Sequence, residues 1–206
     1  MLMDSQLEKI LKNIENQEKF EQENPSKISH SEKVLAIGRD TGIFYNILLK
    51  SMKAQNILEI GMSVGYSTIW FAEAVSKRNG KIITIDHDEN KIRRAKENFE
   101  EAGFMDFIEI RQGDALNVIT SIREKFHDEE IFDFIFLDAD KERYIQYFDA
   151  VFPLLKKGGI IAADNILLPE RFQKFTKSYV RHVRSNSKIR SVTIPIDNGE
   201  ELSLKL

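Results

Sequence analysis

From Asn56 onward the chain alternates short, β-branched apolar runs with longer amphipathic stretches, and this alternation constrains the fold more than any other feature. Runs at 56–60, 81–86, 107–111, 132–138 and 159–164 have strand length. Stretches near 66–77, 89–102, 115–126 and 143–156 have helix length, the second stopping at Gly103 and the fourth before Gly158-Gly159. Repetition of this kind builds a parallel sheet covered by helices on both faces. After Asn165 a helix is expected near 169–184, then strands near 189–194 and 200–205. Asp197-Asn198-Gly199 between those strands is hairpin chemistry, which makes the last strand antiparallel. The expected class is α/β, with a seven-stranded, mostly parallel sheet. Ahead of it, residues 5–20 read as an amphipathic helix with a Ser5/Glu8 capping box and Leu7, Ile10, Leu11 and Ile14 on one face, ended by Pro25. A second helical stretch runs from about His30 to Met52, interrupted near Gly38 and Gly42. The expected division is a helical cap over 1–52 and a sheet domain over 53–206.

Two of the strand-like runs end in polar bursts: Phe132 to Leu137 leads into Asp138-Ala139-Asp140-Lys141, and Gly159 to Ala163 into Asp164-Asn165. In an open parallel sheet, ligands bind outside the carboxyl ends of the strands, where charged side chains leave the core. Asp138 and Asp164 are separated by one crossover helix, and neighbouring strands lie about 4.8 Å apart, so the two carboxylates can share one ion.

The loop Glu59-Ile60-Gly61-Met62-Ser63-Val64-Gly65-Tyr66-Ser67-Thr68 runs from a strand through a glycine turn into a helix. Its two glycines let a ligand approach the backbone, but they do not complete the G-x-G-x-x-G of a dinucleotide cradle, so NAD is a weak reading. Gly61 to Gly65 also spells the G-x-S-x-G of a serine hydrolase elbow, with Asp164 and His182 following in triad order. Against it, the loop follows the first recognisable strand, and no oxyanion-loop segment precedes it. Asp86 ends the second strand 21 residues beyond Gly65, where one carboxylate suits a ribose diol. Gly113-Asp114-Ala115 ends the third, where an adenine can be held. A nucleoside without a pyrophosphate fits all three loops.

These residues resemble the metal-dependent class I S-adenosylmethionine O-methyltransferases of the caffeoyl-CoA and catechol type, from about Ile57 to Leu206. The resemblance implies a Rossmann-like fold. It also implies a cofactor site drawn from Glu59, Gly61, Ser63, Gly65, Tyr66, Ser67, Asp86, His87, Asp114, Ala115 and Asp138. Asp138, Asp164 and Asn165 would hold a divalent cation, Lys141 would act as general base and contact the acceptor, and Tyr144 would line the acceptor pocket or simply pack. Two carboxylates and an amide oxygen are hard donors, which favours Mg²⁺, with Mn²⁺ or Ca²⁺ as alternatives. Met62 and Val64 depart from the small or hydroxylated residues usual in the cofactor loop, and the N-terminal region is weakly matched.

Composition narrows the partners. A chain of 206 residues with net charge −3 supports one substantial core and argues against nucleic-acid binding by the whole surface. It has no cysteine, no apolar stretch near the roughly 18–20 residues of a membrane span, and no signal-like start, so a cytoplasmic protein is expected. Yet no acid occurs between Glu170 and Asp197, and Lys174, Lys177, Arg181 and Arg184 share one helical face. That face is a solvated surface or a guide for an anionic acceptor such as a nucleotide, a CoA thioester or tRNA; some relatives of the family methylate hydroxylated uridine in tRNA. The expectation is methylation of a hydroxyl on a small catechol-like acceptor, in a homodimer by family habit. The tRNA enzyme, the hydrolase using Ser63 and a nonenzymatic nucleoside binder are the alternatives.

Overall fold

The computed structural model describes residues 5–24, 29 and 32–206. Its helices are α1 (Ser5–Glu23), α2 (Arg39–Met52), α3 (Tyr66–Val75), α4 (Glu89–Glu101), α5 (Ala115–Phe126), α6 (Tyr144–Val151) and α7 (Gln173–Ser185). Its strands are β1 (Asn56–Ile60), β2 (Lys81–Asp86), β3 (Ile108–Gln112), β4 (Phe132–Leu137), β5 (Leu155–Ala163), β6 (Ile189–Ile194) and β7 (Glu200–Lys205). They form one sheet in the order β3-β2-β1-β4-β5-β7-β6, with β1 to β5 parallel and β7 antiparallel to both its neighbours. The strand order reverses between β1 and β4, which opens a crevice at their carboxyl ends.

Side-chain alternation divides the core between the two faces. Phe134 and Phe136 of β4 pack with Tyr45 of α2 and Phe71 of α3, the Tyr45 and Phe136 rings 5.1 Å apart. Ile135 and Leu137 turn to the other face, with Tyr144, Phe148 and Tyr179. Leu7, Ile10, Leu11 and Ile14 of α1 are all buried in the first of these clusters, as their spacing predicts. No helix among the described residues is long and apolar enough to cross a membrane.

Several boundaries differ from expectation. Ser5 is already helical rather than capping, and the stop at Pro25 and start at His30 lie outside the described residues. Residues 33–38 are not helical; α2 begins only at Arg39, after Gly38. A Cβ on Gly38 would lie 2.0 Å from the Asp197 carboxylate, which accepts hydrogen bonds from the Thr41 N–H (3.1 Å) and hydroxyl (2.7 Å). The α2 N-terminus is thus capped by the distant β6–β7 hairpin instead of by its own preceding residue. The helix expected to reach 156 ends at Val151, followed by a 3₁₀ turn over Phe152–Leu154, since Pro153 cannot continue the hydrogen-bond ladder. β5 starts earlier than expected, at Leu155, with Lys156 paired to Asp133 across β4 at 2.7 Å.

Candidate active site

A cleft of about 810 Å³ lies over the carboxyl ends of the strands. That is the size of a small-molecule site. Ser63, Tyr66, Ser67, Asp86, His87, Asp114, Ala115, Asp138, Lys141, Asp164 and Asn165 line it, together with Gly61.

The glycine loop holds its shape for a steric reason. Gly61 has φ +94° and packs directly on the end of β4, where a Cβ would sit 2.0 Å from the Asp138 carbonyl oxygen. Gly65, with φ +86°, touches the Phe99 ring and does not line the cleft. Met62 and Val64, the departures from the family pattern, have side chains buried in the core, so they are accommodated by packing. The Ser63 N–H donates to Asp86 Oδ2 at 2.8 Å and the Asp88 N–H to Asp86 Oδ1 at 3.0 Å. Each oxygen of Asp86 keeps a lone pair for a ligand hydroxyl. Asp114 caps α5 through the Asn117 N–H (3.2 Å), and its pair with Arg143 (2.7 Å) holds its carboxyl below the usual range. His87 is 83% exposed at the cleft edge.

Besides Gly65, two expected site residues lie elsewhere. Glu59 is fully buried beneath the loop, its oxygens taken by the hydroxyls of Ser67 (2.5 Å), Thr68 (2.5 Å) and Thr84 (2.6 Å). Burial pushes its pKa up to about 7 against the lowering effect of those three bonds. It ties β1 to α3 and β2 and does not reach the cleft. Tyr144 is likewise wholly buried, its hydroxyl 2.9 Å from the Leu137 carbonyl and 3.0 Å from that of Asp164. It braces the two strand ends from below, while Tyr147, one helical turn on, lines the cleft.

The hydrolase reading fails on hydrogen bonding. Ser63 gives its hydroxyl proton to the Val34 carbonyl, and His182 pairs with Asp149 at 2.7 Å and packs edge-on against Phe148, both on α6. Ser63 and His182 therefore make no contact that could activate a nucleophile.

At the other end of the cleft, β4 and β5 bring Asp138, Lys141, Asp164 and Asn165 together. Lys141 Nζ is buried, 2.6 Å from Asp138 Oδ1 and over the Tyr144 ring at 5.2 Å. Asn165 has φ +58°, and its N–H donates to Asp164 Oδ1 at 2.6 Å. Burial, and then the charge of Asp138, push the Asp164 pKa up to about 6. Behind it Glu200 is also buried, with Oε1 beside the Asp164 carboxylate. Among the described residues no three His, Cys, Asp or Glu side chains cluster as a metal site, so the candidate donors are the Asp138 and Asp164 carboxylates plus the Asn165 amide. These hard oxygens, with Lys141 the ammonium paired to Asp138, fit a small divalent cation.

Sequence reasoning missed the far wall of the cleft, formed by Glu18 of α1 and the segment Val34 to Ile37, and the mouth at Arg171, Phe172 and Asn198. No periodic signal marks these positions.

A sheet of this order with a glycine loop beside one strand end and acids at two others defines a class I, Rossmann-like methyltransferase fold. The chain belongs to the O-methyltransferase family, whose model it matches over residues 12–206. It is 37% identical over 133 residues to a catechol O-methyltransferase from Niastella koreensis, covering 65% of this chain and 59% of that protein. It is 38% identical over 138 residues to caffeoyl-CoA O-methyltransferase 5 of Nicotiana tabacum, covering 67% and 57% respectively. The matches thus span less than two thirds of either relative's length. In structure it resembles the O-methyltransferase from Bacillus cereus in complex with SAH, at 25% identity and a TM-score of 0.79, covering all of this chain and 93% of that one.

Proposed function

We propose that this protein transfers the methyl group of S-adenosylmethionine to a hydroxyl of a small catechol-like acceptor, with a divalent cation at the acceptor end of the cleft. The observation that carries the proposal is the meeting of Asp138, Lys141, Asp164 and Asn165 in the same cleft that presents Asp86. S-adenosylmethionine supplies an electrophilic methyl. Asp86 would accept the ribose hydroxyls, the 113–115 loop would flank the adenine, and the Gly61 turn would let the donor lie against backbone. Asp138, Asp164 and Asn165 would hold the cation, which supplies electrostatic stabilisation of a developing oxyanion. Lys141 Nζ, as the neutral amine, would take the proton of the acceptor hydroxyl and become the ammonium; its carboxylate neighbour fixes it in place. The rest is positioning, since holding two reactants in line removes most of the entropic barrier.

Supporting a small acceptor are the relatives named for catechol and caffeoyl-CoA substrates. The exposed Lys174, Lys177 and Arg181 of α7 keep an RNA acceptor as the rival; Arg184 is engaged with Glu201 at 2.9 Å. Incubation with methyl-labelled S-adenosylmethionine, with catechols or unmodified bulk tRNA, and with Mg²⁺ or EDTA, tests both. Label is expected on the catechol and at least tenfold less with EDTA. Transfer indifferent to EDTA refutes the cation, and transfer to tRNA alone refutes the small acceptor.

A further inference from the structure

Glu200 opens β7 immediately after the hairpin glycine and is completely buried. The antiparallel register that pairs Ala163 with Glu201 sets Glu200 opposite Asp164 when continued by one residue. Alternation sends Glu200 and Leu202 to the sheet face covered by α2, whereas Glu201 turns to Arg184, Ser191 and Thr193. On that face Tyr45 of α2, itself without solvent exposure, donates its hydroxyl to Glu200 Oε2. The remaining oxygen, Oε1, is buried beside the Asp164 carboxylate, the group in position to share a hydrogen bond with it through a single proton. No basic side chain pairs with Glu200 among the described ion pairs. A leucine here would be the stable choice, because a buried carboxyl group with an oxygen that meets no other donor gives up the hydrogen bonds it makes in water. A polar side chain held at that expense needs a use.

We propose that Glu200 is a positioning residue of the cation site: it fixes the Asp164 carboxylate from behind, and Tyr45 fixes Glu200. The proposal rests on the cation reading given above. It runs through Asp164 rather than making Glu200 a ligand, since Asp138, Asp164 and Glu200 do not themselves cluster as a three-carboxylate metal site. Partners behind ligating carboxylates set their orientation, and losing one typically weakens metal binding by about 10–100-fold. Through Tyr45 the chain α2–β7–β5 connects the N-terminal helices to the site.

Mn²⁺ titration, by calorimetry or electron paramagnetic resonance, of the full chain and of Glu200→Leu, Glu200→Gln, Tyr45→Phe and Asp164→Ala decides the matter, with S-adenosylhomocysteine affinity and melting temperature as parallel readouts. Glu200→Leu should weaken Mn²⁺ by about 10–100-fold and leave S-adenosylhomocysteine affinity unchanged. Glu200→Gln should stay within about threefold of wild type, because its amide oxygen can accept from Tyr45 while its nitrogen donates to Asp164. Tyr45→Phe should weaken Mn²⁺ by roughly two- to tenfold, the worth of one hydrogen bond, and tests the proposal even if Glu200→Leu does not fold. Wild-type affinity in Glu200→Leu or in Tyr45→Phe overturns the proposal. So does a Glu200→Gln variant as weak as Glu200→Leu, which would make Glu200 a ligand. If wild type and Asp164→Ala bind Mn²⁺ equally, or neither binds, the cation reading itself has failed, a result distinct from the failure of Glu200 alone.

Discussion

Glu59 and Asp164 are both buried acids near the carboxyl ends of inner strands, and both have pKa values pushed up by burial, to about 7 and about 6. They differ in company. Glu59 is surrounded by three hydroxyls that donate to it, so it is a saturated knot joining β1, β2 and α3. Asp164 is surrounded by Asp138 and Glu200, receives the Asn165 N–H, and faces a cleft. Burial alone therefore does not mark a functional acid. What marks it is an environment that leaves charge or hydrogen-bonding capacity unmet, because a scaffold gains nothing from that and a ligand can relieve it.

The largest effect belongs to the unmet region. Lys141→Ala is expected to lower the methyl-transfer rate by about 10²–10⁴-fold, the range for loss of a general base, while S-adenosylhomocysteine binding measured by calorimetry stays as in wild type. A rate reduced less than tenfold would remove Lys141 from the chemistry and leave the Asp138 pair a structural salt bridge.

The saturated region should show itself in stability. Glu59 binds its proton more tightly when folded than when unfolded, since its pKa rises from 4.5 to about 7. Its contribution is therefore present in full below about pH 4.5 and is lost as the pH rises through about 7, a difference on the order of 3 kcal/mol. Asp164 and Glu200 shift in the same sense, so the measurable quantity is the difference between wild type and Glu59→Gln in urea unfolding across that window. Glu59→Gln should flatten the decline, and an identical slope in the two proteins would break the assignment of Glu59 as a buried structural acid.

These contrasts also explain what could be read from the sequence. The strand–helix alternation, the hairpin at 197–199 and the convergence of Asp138 with Asp164 follow from local patterns, because period, turn residues and strand-end polarity are local properties. The family resemblance places Glu59 in the cofactor loop. Its actual partners, Ser67, Thr68 and Thr84, are 8, 9 and 25 residues away and come together only in the folded sheet. Glu200 and Tyr45 lie 155 residues apart and carry no joint signal. The segment Val34 to Ile37 reads as part of a helix, yet it is irregular and walls the cleft. Long-range polar satisfaction is the information that a one-dimensional pattern lacks.

The smallest expected effect tests the boundary between the two regions. Tyr144 lies directly beneath the Asp138 and Asp164 end of the cleft, but its hydroxyl points at the Leu137 and Asp164 carbonyls and its ring at the core. Leu137 O also accepts the Asp164 N–H at 3.1 Å and keeps that partner when the hydroxyl is removed. Tyr144→Phe should therefore cost about 1 kcal/mol in unfolding free energy, the net worth of one buried hydrogen bond. The KM for a catechol acceptor should stay within about twofold, because no atom removed faces the cleft. A KM raised fivefold or more with stability unchanged would place Tyr144 among the acceptor contacts and move the line between scaffold and site by one residue layer.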